Sequence, residues 1–391
     1  MAAGRRPWDP AQRAPYPSSG AWLTGPDAGE ATVSGPLEGL RVCVKDVIDV
    51  RGLPTTAGTS GWSRRPAGDA ATVAALRAAG AQIAGKGHTV EFAMGIDGLN
   101  PHLAPCLNPW DPERVCGGSS SGPAAAVAAG EADIGLGTDT AGSLRVPAGC
   151  CGLFTLRPTH GLLAMDGVLA LAPSLDVCGP LTRDAHTLAL AMTALAGWQS
   201  PPAGAGVPAR AGLFAAGGAE DMVAARLAER GTRIVAVDLP DFARARDVQR
   251  VIQNAEAARV HDAGFGGPAP RYSEAVRRRL ADGRAIGAAQ LAAARAEAAA
   301  YVAQIWELFE RERLDVVLLA TTPFVAPRRD AVTVAGLPLR EAMLRHVASL
   351  SLLGAPILGV PAAVEDGLPL GVQIIGRPGA DRELVALAAH L

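Results

Sequence analysis

Lysine is nearly absent from this chain. Of its 36 basic residues all but Lys45 and Lys86 are arginine. Aromatic residues make up 4% of the 391 positions, too few to mark out a pocket by composition. The six cysteines (43, 106, 116, 150, 151, 178) contain no CxxC pair, and the sequence has no HExxH and no SxxK. The seven histidines lack ligand spacing, so a metal site has no support and no cofactor motif stands out. Excess charge is missing too: the net charge of −2 and pI near 6.4 argue against nucleic-acid and anionic-membrane partners. No apolar run reaches a membrane span, and the N-terminal residues carry no signal-type apolar region. These absences lead us to expect a cytoplasmic protein with reduced cysteines, no metal, no cofactor, no nucleic acid and no membrane partner. The oligomeric state is open, with a homodimer allowed.

What the chain does contain is concentrated between Cys116 and Gly161. Two glycine–serine loops, Gly117–Gly122 and Gly137–Ser143, bracket an alanine-rich segment and a short apolar run. Glycine is used where backbone takes unusual dihedrals or approaches another group closely, so such loops suit a site built from amides and hydroxyls. Elsewhere strand-like and helix-like segments alternate. Leu40–Val50 reads as a strand, Thr72–Ala79 as a helix, Ala81–Gly85 as a strand, Gly122–Gly130 as a helix and Ala132–Leu136 as a strand. Thr182–Ala196 reads as a helix. After a linker-like Gln199–Val207, Ala211–Ala215, Ala219–Arg230 and Thr232–Val237 give a β-α-β pattern. A helical stretch to about Ala263 and a long helix over Ala288–Arg313 follow. Asp315–Ala320, Ala355–Val360 and Leu370–Ile375 then read as strands, with a last helix from Asp381. The alternation predicts an α/β layered fold in one domain, 1–391, with 1–35 wrapping the surface and 200–300 as a variable region without recognisable chemistry.

Two motif matches fail on context. Gly80–Gly87 lacks the final Ser or Thr of a P-loop. Gly118–Gly122 matches a GxSxG nucleophile elbow centred on Ser120, but the preceding NPWDPERVC is no strand. The stronger constellation is Lys45 with Ser119 and Ser143. A serine hydroxyl needs a base, and a lysine serves as one only if its pKa falls from about 10.4 to roughly 7–8, a shift that costs about 4 kcal/mol and usually comes from desolvation. Val42, Val44, Val47 and Ile48 surround Lys45 with apolar side chains. In a chain that defaults to arginine, a lysine kept there points to a need for a deprotonable amine, whereas for Lys86 chance retention is at least as good a reading.

GGSSSG, GTDTAGSLRVPAGCCG and RPTHG together resemble the amidase signature family of serine hydrolases. GKGHTVEFA, Ser174–Leu175–Asp176 before Cys178–Gly179–Pro180, and GLPLGVQIIG are also similar to family segments, and the RPTHG and GKxHT…EFA variants look most like the indole-acetamide hydrolase branch. The resemblance covers roughly residues 35–195 and 300–391. It implies a three-layer α/β/α sandwich around a central mixed sheet. It also implies Ser143 as nucleophile, Ser119, held by a cis peptide bond, as proton bridge, and Lys45 as base. The backbone amides of Thr140, Ala141, Gly142 and Ser143 would form the oxyanion hole, with Asp139 and Arg145 holding that loop in shape. Met94, Asn100 and His102 are pocket candidates by their place after the EFA segment, and Ser120 and His160 are further candidates. Ala141 departs from the commoner glycine of GTDTGGS, although TAGS also occurs in allophanate hydrolases.

The expected activity is hydrolysis of a small linear, primary amide to acid and ammonia or amine through a serine acyl-enzyme. Two other readings stay open: the A-type subunit of a tRNA-dependent amidotransferase, and a non-catalytic amidase-like binding module. Ser143→Ala is expected to abolish turnover and Lys45→Ala nearly so, while Ser120→Ala costs little. Ammonia release from a panel of primary and aryl amides measures all three.

Overall fold

The alternation of apolar strands with small-residue helices builds one mixed sheet. The computed structural model describes residues 5–25, 33–202, 206–265 and 270–391. Twelve strands join in the sheet: β1 (Arg5–Pro7), β2 (Trp22–Thr24), β3 (Arg41–Lys45), β4 (Gln82–Gly87), β5 (Ile134–Asp139), β6 (Phe154–Arg157), β7 (Val177–Thr182), β8 (Arg210–Leu213), β9 (Arg233–Ala236), β10 (Val316–Ala320), β11 (Ile357–Glu365) and β12 (Leu368–Ile375). Their order is β2-β4-β3-β5-β7-β6-β11-β12-β10-β8-β9, with β1 added beside β11. The described helices are α1 (Ala71–Ala78), α2 (Ser121–Ala129), α3 (Arg145–Cys151), α4 (Ala185–Ala196), α5 (Glu220–Glu229), α6 (Phe242–Ala263), α7 (Glu274–Ala285), α8 (Ala288–Arg311), α9 (Leu339–Leu344) and α10 (Asp381–Ala388). They flank the sheet in the expected three-layer α/β/α arrangement.

The centre of the sheet positions the two loops. β3 runs parallel to both β4 and β5, with Val44 opposite Leu136 and Lys45 opposite Gly87. The carboxyl ends of all three strands therefore lie at one edge. Lys45, Gly87 and Thr138–Asp139 leave the sheet together there. β5 is buried along its whole length, as a strand covered on both faces should be. α2 connects the two loops, and its residues from Ser121 to Ala128 are all buried. Apart from Ser121 and Val127 it consists of glycine, alanine and proline, which lets it lie close to its neighbours. A β-carbon on Gly122 would lie 2.2 Å from the His88 nitrogen and 2.8 Å from the Ala21 oxygen, both main-chain atoms.

Several element boundaries differ from the sequence reading for local reasons. The strand expected over Leu40–Val50 ends at Lys45. There the Asp46 carboxylate accepts the Thr56 and Gly58 amides and turns the chain. The helix expected from Thr182 starts at Ala185, because Asp184 caps it by accepting the Thr187 amide at 2.7 Å, and Val177–Thr182 is a buried strand. Of the N-terminal wrap, Arg5–Pro7 and Trp22–Thr24 pair with the sheet, while residues 1–4 and 26–32 lie outside the described residues. Residues 203–205 of the linker-like Gln199–Val207 also lie outside them. The region 200–300 adds β8 and β9 at one end of the sheet and most of α5–α8. No helix among the described residues is long and apolar enough to cross a membrane.

Gly122→Ala is expected to destabilise the fold by about 2 kcal/mol or more, since main-chain atoms cannot yield to the added methyl as a side chain can. Urea unfolding measures the loss.

Candidate active site

Lys45 ends β3 fully buried, and its Nζ donates to Ser119 Oγ and to Thr138 Oγ1, each at 2.7 Å. Burial pushes the amine down to about 7, against the opposing pull of Cys178, Asp139 and Asp176. The register explains the Thr138 contact. Thr138 lies on β5, the parallel neighbour of β3, near the same carboxyl edge. The sequence reading did not single out Thr138, although it lies in the same GTDT motif and only the pairing of two distant strands reveals its role.

The first loop is fixed from three sides. The Gly118 amide donates to the Ile96 carbonyl at 2.7 Å, and the Ser119 carbonyl accepts from Thr89 Oγ1 at 3.0 Å. The peptide between Gly118 and Ser119 is cis. Ser120 Oγ spans Thr138, donating to its carbonyl at 3.2 Å and accepting from its amide at 3.3 Å. Ser121 Oγ lies 2.8 Å from His88 Nδ1. Ser120 is thus buried and ties the loop to β5, which corrects the expectation that it lines the substrate pocket.

The second loop hangs on one carboxylate. Asp139 receives the Gly142 amide at 2.8 Å, the Leu144 amide at 3.2 Å and both Nε and Nη2 of Arg145 at 3.0 and 3.1 Å. Arg157 adds Nη1 at 3.2 Å, and the same nitrogen donates to the Asp139 carbonyl at 2.6 Å. Burial pushes the Asp139 carboxyl up, but the two guanidiniums and the amide outweigh it and hold it well below the usual carboxylate range. Arg145 Nη1 reaches the Val347 carbonyl and Gln373 Oε1 at 3.0 Å, and Nη2 also donates to Ser351 Oγ at 2.9 Å. Asp139 and Arg145 therefore hold the loop, with Arg157 as a third member that the motif alone did not indicate. On its other side Thr140 Oγ1 donates to Asp176 Oδ1 at 2.6 Å, and the Leu171 and Ala172 amides also reach Asp176. Burial raises the Asp176 carboxyl to about 6 against those bonds.

Ser143 follows this clamp. It is 5% exposed, and its hydroxyl has no hydrogen-bond partner among the described residues. Of the four amides expected to form an oxyanion hole, that of Gly142 is already spent on Asp139. The amides of Thr140, Ala141 and Ser143 have no acceptor among the described residues. Gly142 takes φ 118°, and a β-carbon there would meet Val347 at 2.6 Å, so this position needs glycine. Ala141 is not at positive φ, and the turn accommodates its methyl without strain.

Other candidates fall away from this centre. Asn100 donates its Nδ2 to the Gly58 and Thr89 carbonyls at 2.8 and 2.7 Å and accepts the His102 amide, so it latches loops. His102 meets Ser60 and Glu91. His160 is exposed and its ring contacts the Pro173 carbonyl at 3.0 Å. No hydrogen bond joins it to Asp139, Asp176 or Ser143 among the described residues. Met94 is buried, and its carbonyl accepts from the Arg279 guanidinium. All six cysteines are buried and unpaired, and burial raises the Cys150 thiol to about 12, far from a thiolate nucleophile. Lys86, for which chance retention seemed an adequate explanation, is fully buried 3.0 Å from Asp46 Oδ1 and donates to Thr55 Oγ1 at 3.0 Å.

A dehydrated lysine against a serine on one glycine loop, and a second glycine loop whose serine hydroxyl and three amides have no partner among the described residues, are the groups that a serine-dependent hydrolase needs. The chain belongs to the amidase family: the family model described as Amidase matches residues 24–212 and 217–385. It is 35% identical over 418 aligned positions to the A-type subunit of the Symbiobacterium thermophilum glutamyl-tRNA(Gln) amidotransferase, covering 91% of this chain and 83% of that protein. A solved structure described as an amidase is 35% identical with a TM-score of 0.81, covering 91% of this chain and 84% of the other. The A-type subunit of the Thermotoga maritima glutamyl-tRNA(Gln) amidotransferase aligns at 29% identity with a TM-score of 0.80, over 95% of this chain and 86% of that one.

These relatives correct the expected partners. The reading of a small-molecule amide substrate with no nucleic acid does not stand, since the curated relatives are named as one subunit of an enzyme for glutamyl-tRNA(Gln). The error was physical. The near-neutral charge of one chain describes its own surface, and in an assembly the tRNA contacts can belong to another subunit.

Lys86→Met is expected to destabilise the fold by about 3–5 kcal/mol, because it leaves the Asp46 carboxylate buried without its cation. Denaturant unfolding near neutral pH checks it.

Proposed function

We propose that this chain is the amide-hydrolysing, A-type subunit of a tRNA-dependent amidotransferase, with Ser143 as nucleophile, Ser119 as bridge and Lys45 as base. The observation that carries the chemistry is the 2.7 Å contact between Ser119 Oγ and an amine that burial lowers to about 7. The assembly role is supported by the names of the curated relatives.

With Lys45 neutral, the Ser119 hydroxyl turns to donate to Nζ and becomes the acceptor for the Ser143 proton. Ser143 Oγ then attacks the carboxamide carbon. The carbonyl oxygen gains the negative charge, and the Thr140, Ala141 and Ser143 amides receive it. Such donors typically contribute about 3–4 kcal/mol each to the transition state. The proton returns through Ser119 to the departing nitrogen, which leaves as ammonia, and Ser143 holds the acyl group as an ester. Water then attacks along the same path, giving the acid and restoring the serine. In the assembly, the ammonia would serve amidation of glutamyl-tRNA on a partner subunit.

A neutral base fixes the sign of the pH dependence. The rate constant kcat/KM for ammonia release from glutamine is expected to be low in acid, to rise through about pH 7 and to level off above it. Fluorophosphonate should label the wild type and leave Ser143→Ala unlabelled. Purification from the native source should bring partner subunits with the chain. A labelled, glutamine-hydrolysing chain that purifies alone would retain the hydrolytic chemistry and sink the subunit role. A chain whose labelling survives Ser143→Ala would sink both.

A further inference from the structure

Three parallel strands at one end of the sheet stand in the order β10-β8-β9. The chain leaves β8 through α5 toward β9, whereas β10 lies on the other side of β8. Adjacent parallel strands whose connections part in this way leave a crevice beyond their carboxyl ends, where open α/β sheets bind ligands. A cavity of about 240 Å³ lies there, with the loop after β8 on one wall and Thr322 and Pro323 after β10 on another. Lys45, Ser119 and Ser143 do not line it, so it is separate from the hydrolytic centre.

The side chains on this wall that can donate a hydrogen bond are already committed. Arg5 gives Nε to Glu365 Oε2 at 2.8 Å and Nη1 to the Gly217 carbonyl at 3.3 Å. Thr322 Oγ1 donates to the Phe324 carbonyl at 2.9 Å. His346 Nδ1 donates to the Ala320 carbonyl at 3.2 Å, and burial pushes the ring pKa down, which leaves Nε2 as an acceptor. Glu220, the first residue of α5, is 3% exposed, and its Oε1 accepts the Gly218 amide at 3.0 Å. Its Oε2 is buried and has no partner among the described residues. Burial pushes this carboxyl up and Asp221 adds to that, while Arg5 opposes it. The helix N-terminus favours the anion but gives Oε2 no hydrogen bond. A buried carboxylate oxygen left unpaired is costly, and on a cavity wall a ligand can supply the missing donor.

Acceptors from Glu220, His346 and Thr322, without an uncommitted side-chain donor, match a group with three donors and no acceptor. A primary ammonium is such a group. The aromatic Phe214 and the apolar Pro323 and Leu370 complete the wall, which suits a cation on a short hydrocarbon stem. A metal ion is a poorer match, since no group of three or more His, Cys, Asp or Glu side chains that could hold one occurs among the described residues. We propose that this cavity is a binding site for a small primary alkylammonium, with Glu220 as its anionic partner. The assignment does not depend on the Ser143 reading.

The test titrates the full chain calorimetrically with n-propylammonium chloride, n-propanol and potassium chloride at constant ionic strength. The ammonium should bind at least about tenfold more tightly than the alcohol, because it alone brings a charge to Glu220. Glu220→Gln should weaken it by about tenfold or more, and potassium should not displace it. Phe214→Leu keeps the carboxylate and should cost about threefold, which serves the comparison should the Glu220 variant not fold. Ser143→Ala should bind the probe as the wild type does. No binding by the wild type, equal affinity for the alcohol, unchanged binding in either cavity variant, or displacement by potassium would overturn the assignment. Loss of binding in Ser143→Ala would put the probe in the hydrolytic centre and overturn it too. A chain that hydrolyses no amide yet binds the ammonium through Glu220 fails only the Ser143 reading.

Discussion

Dehydration of one amine is the constraint on which the site depends. An ammonium moved out of water loses its charge more readily, and Lys45 sits fully buried at the end of β3. Burial alone would not keep it neutral near pH 7 if free carboxylates stood beside it. Each acidic neighbour is instead compensated by other groups: Asp139 is held by Arg145 and Arg157, Asp46 by Lys86, and Asp176 by a hydroxyl and two amides. The arginine clamp on the second loop therefore does two things. It shapes the turn that carries Ser143, and it quenches the carboxylate that would otherwise recharge Lys45.

The two lysines share this environment and have opposite tasks. Lys86 is paired with Asp46 and reaches Thr55, so it ties the loop after β3 to the neighbouring strand β4. Among the described residues, Lys45 hydrogen-bonds only to hydroxyls. Both positions accept a compact amine at zero exposure, where the broader guanidinium of arginine would have to displace packed neighbours. Scarcity of lysine was thus informative at both positions, although at Lys86 chance had seemed an adequate explanation.

Much of the fold was legible because strand and helix periods are local. The β4, β5, α2, α5, α8, β10 and β12 segments appear within a few residues of where the apolar runs and breakers place them. Of the candidate site, the motif members were legible as residues: Lys45 contacts Ser119, and Asp139 with Arg145 holds the turn that carries Ser143. What escaped was set by pairing across long separations. Thr138 meets Lys45 only through the β3–β5 register, and Arg157 meets Asp139 only through the fold of α3 and β6. Helix α3 was missed because RVPAGCC is buried on every side and shows no helical stripe. Asn100 was placed near the pocket by its position after the EFA segment, which says nothing about which way a loop side chain turns.

Arginine is the default cation here, so an arginine by itself carries no signal, and the chain holds many that are paired or exposed. What singles out Arg145 and Arg157 is that both are fully buried and converge on one carboxylate, that of Asp139. Two buried cations on one buried anion are tolerable only where further acceptors complete them, and the Val347, Leu175 and Ser351 carbonyls and Gln373 Oε1 do so. Segments far apart in the sequence therefore have to be in place before the turn that carries Ser143 can hold its shape.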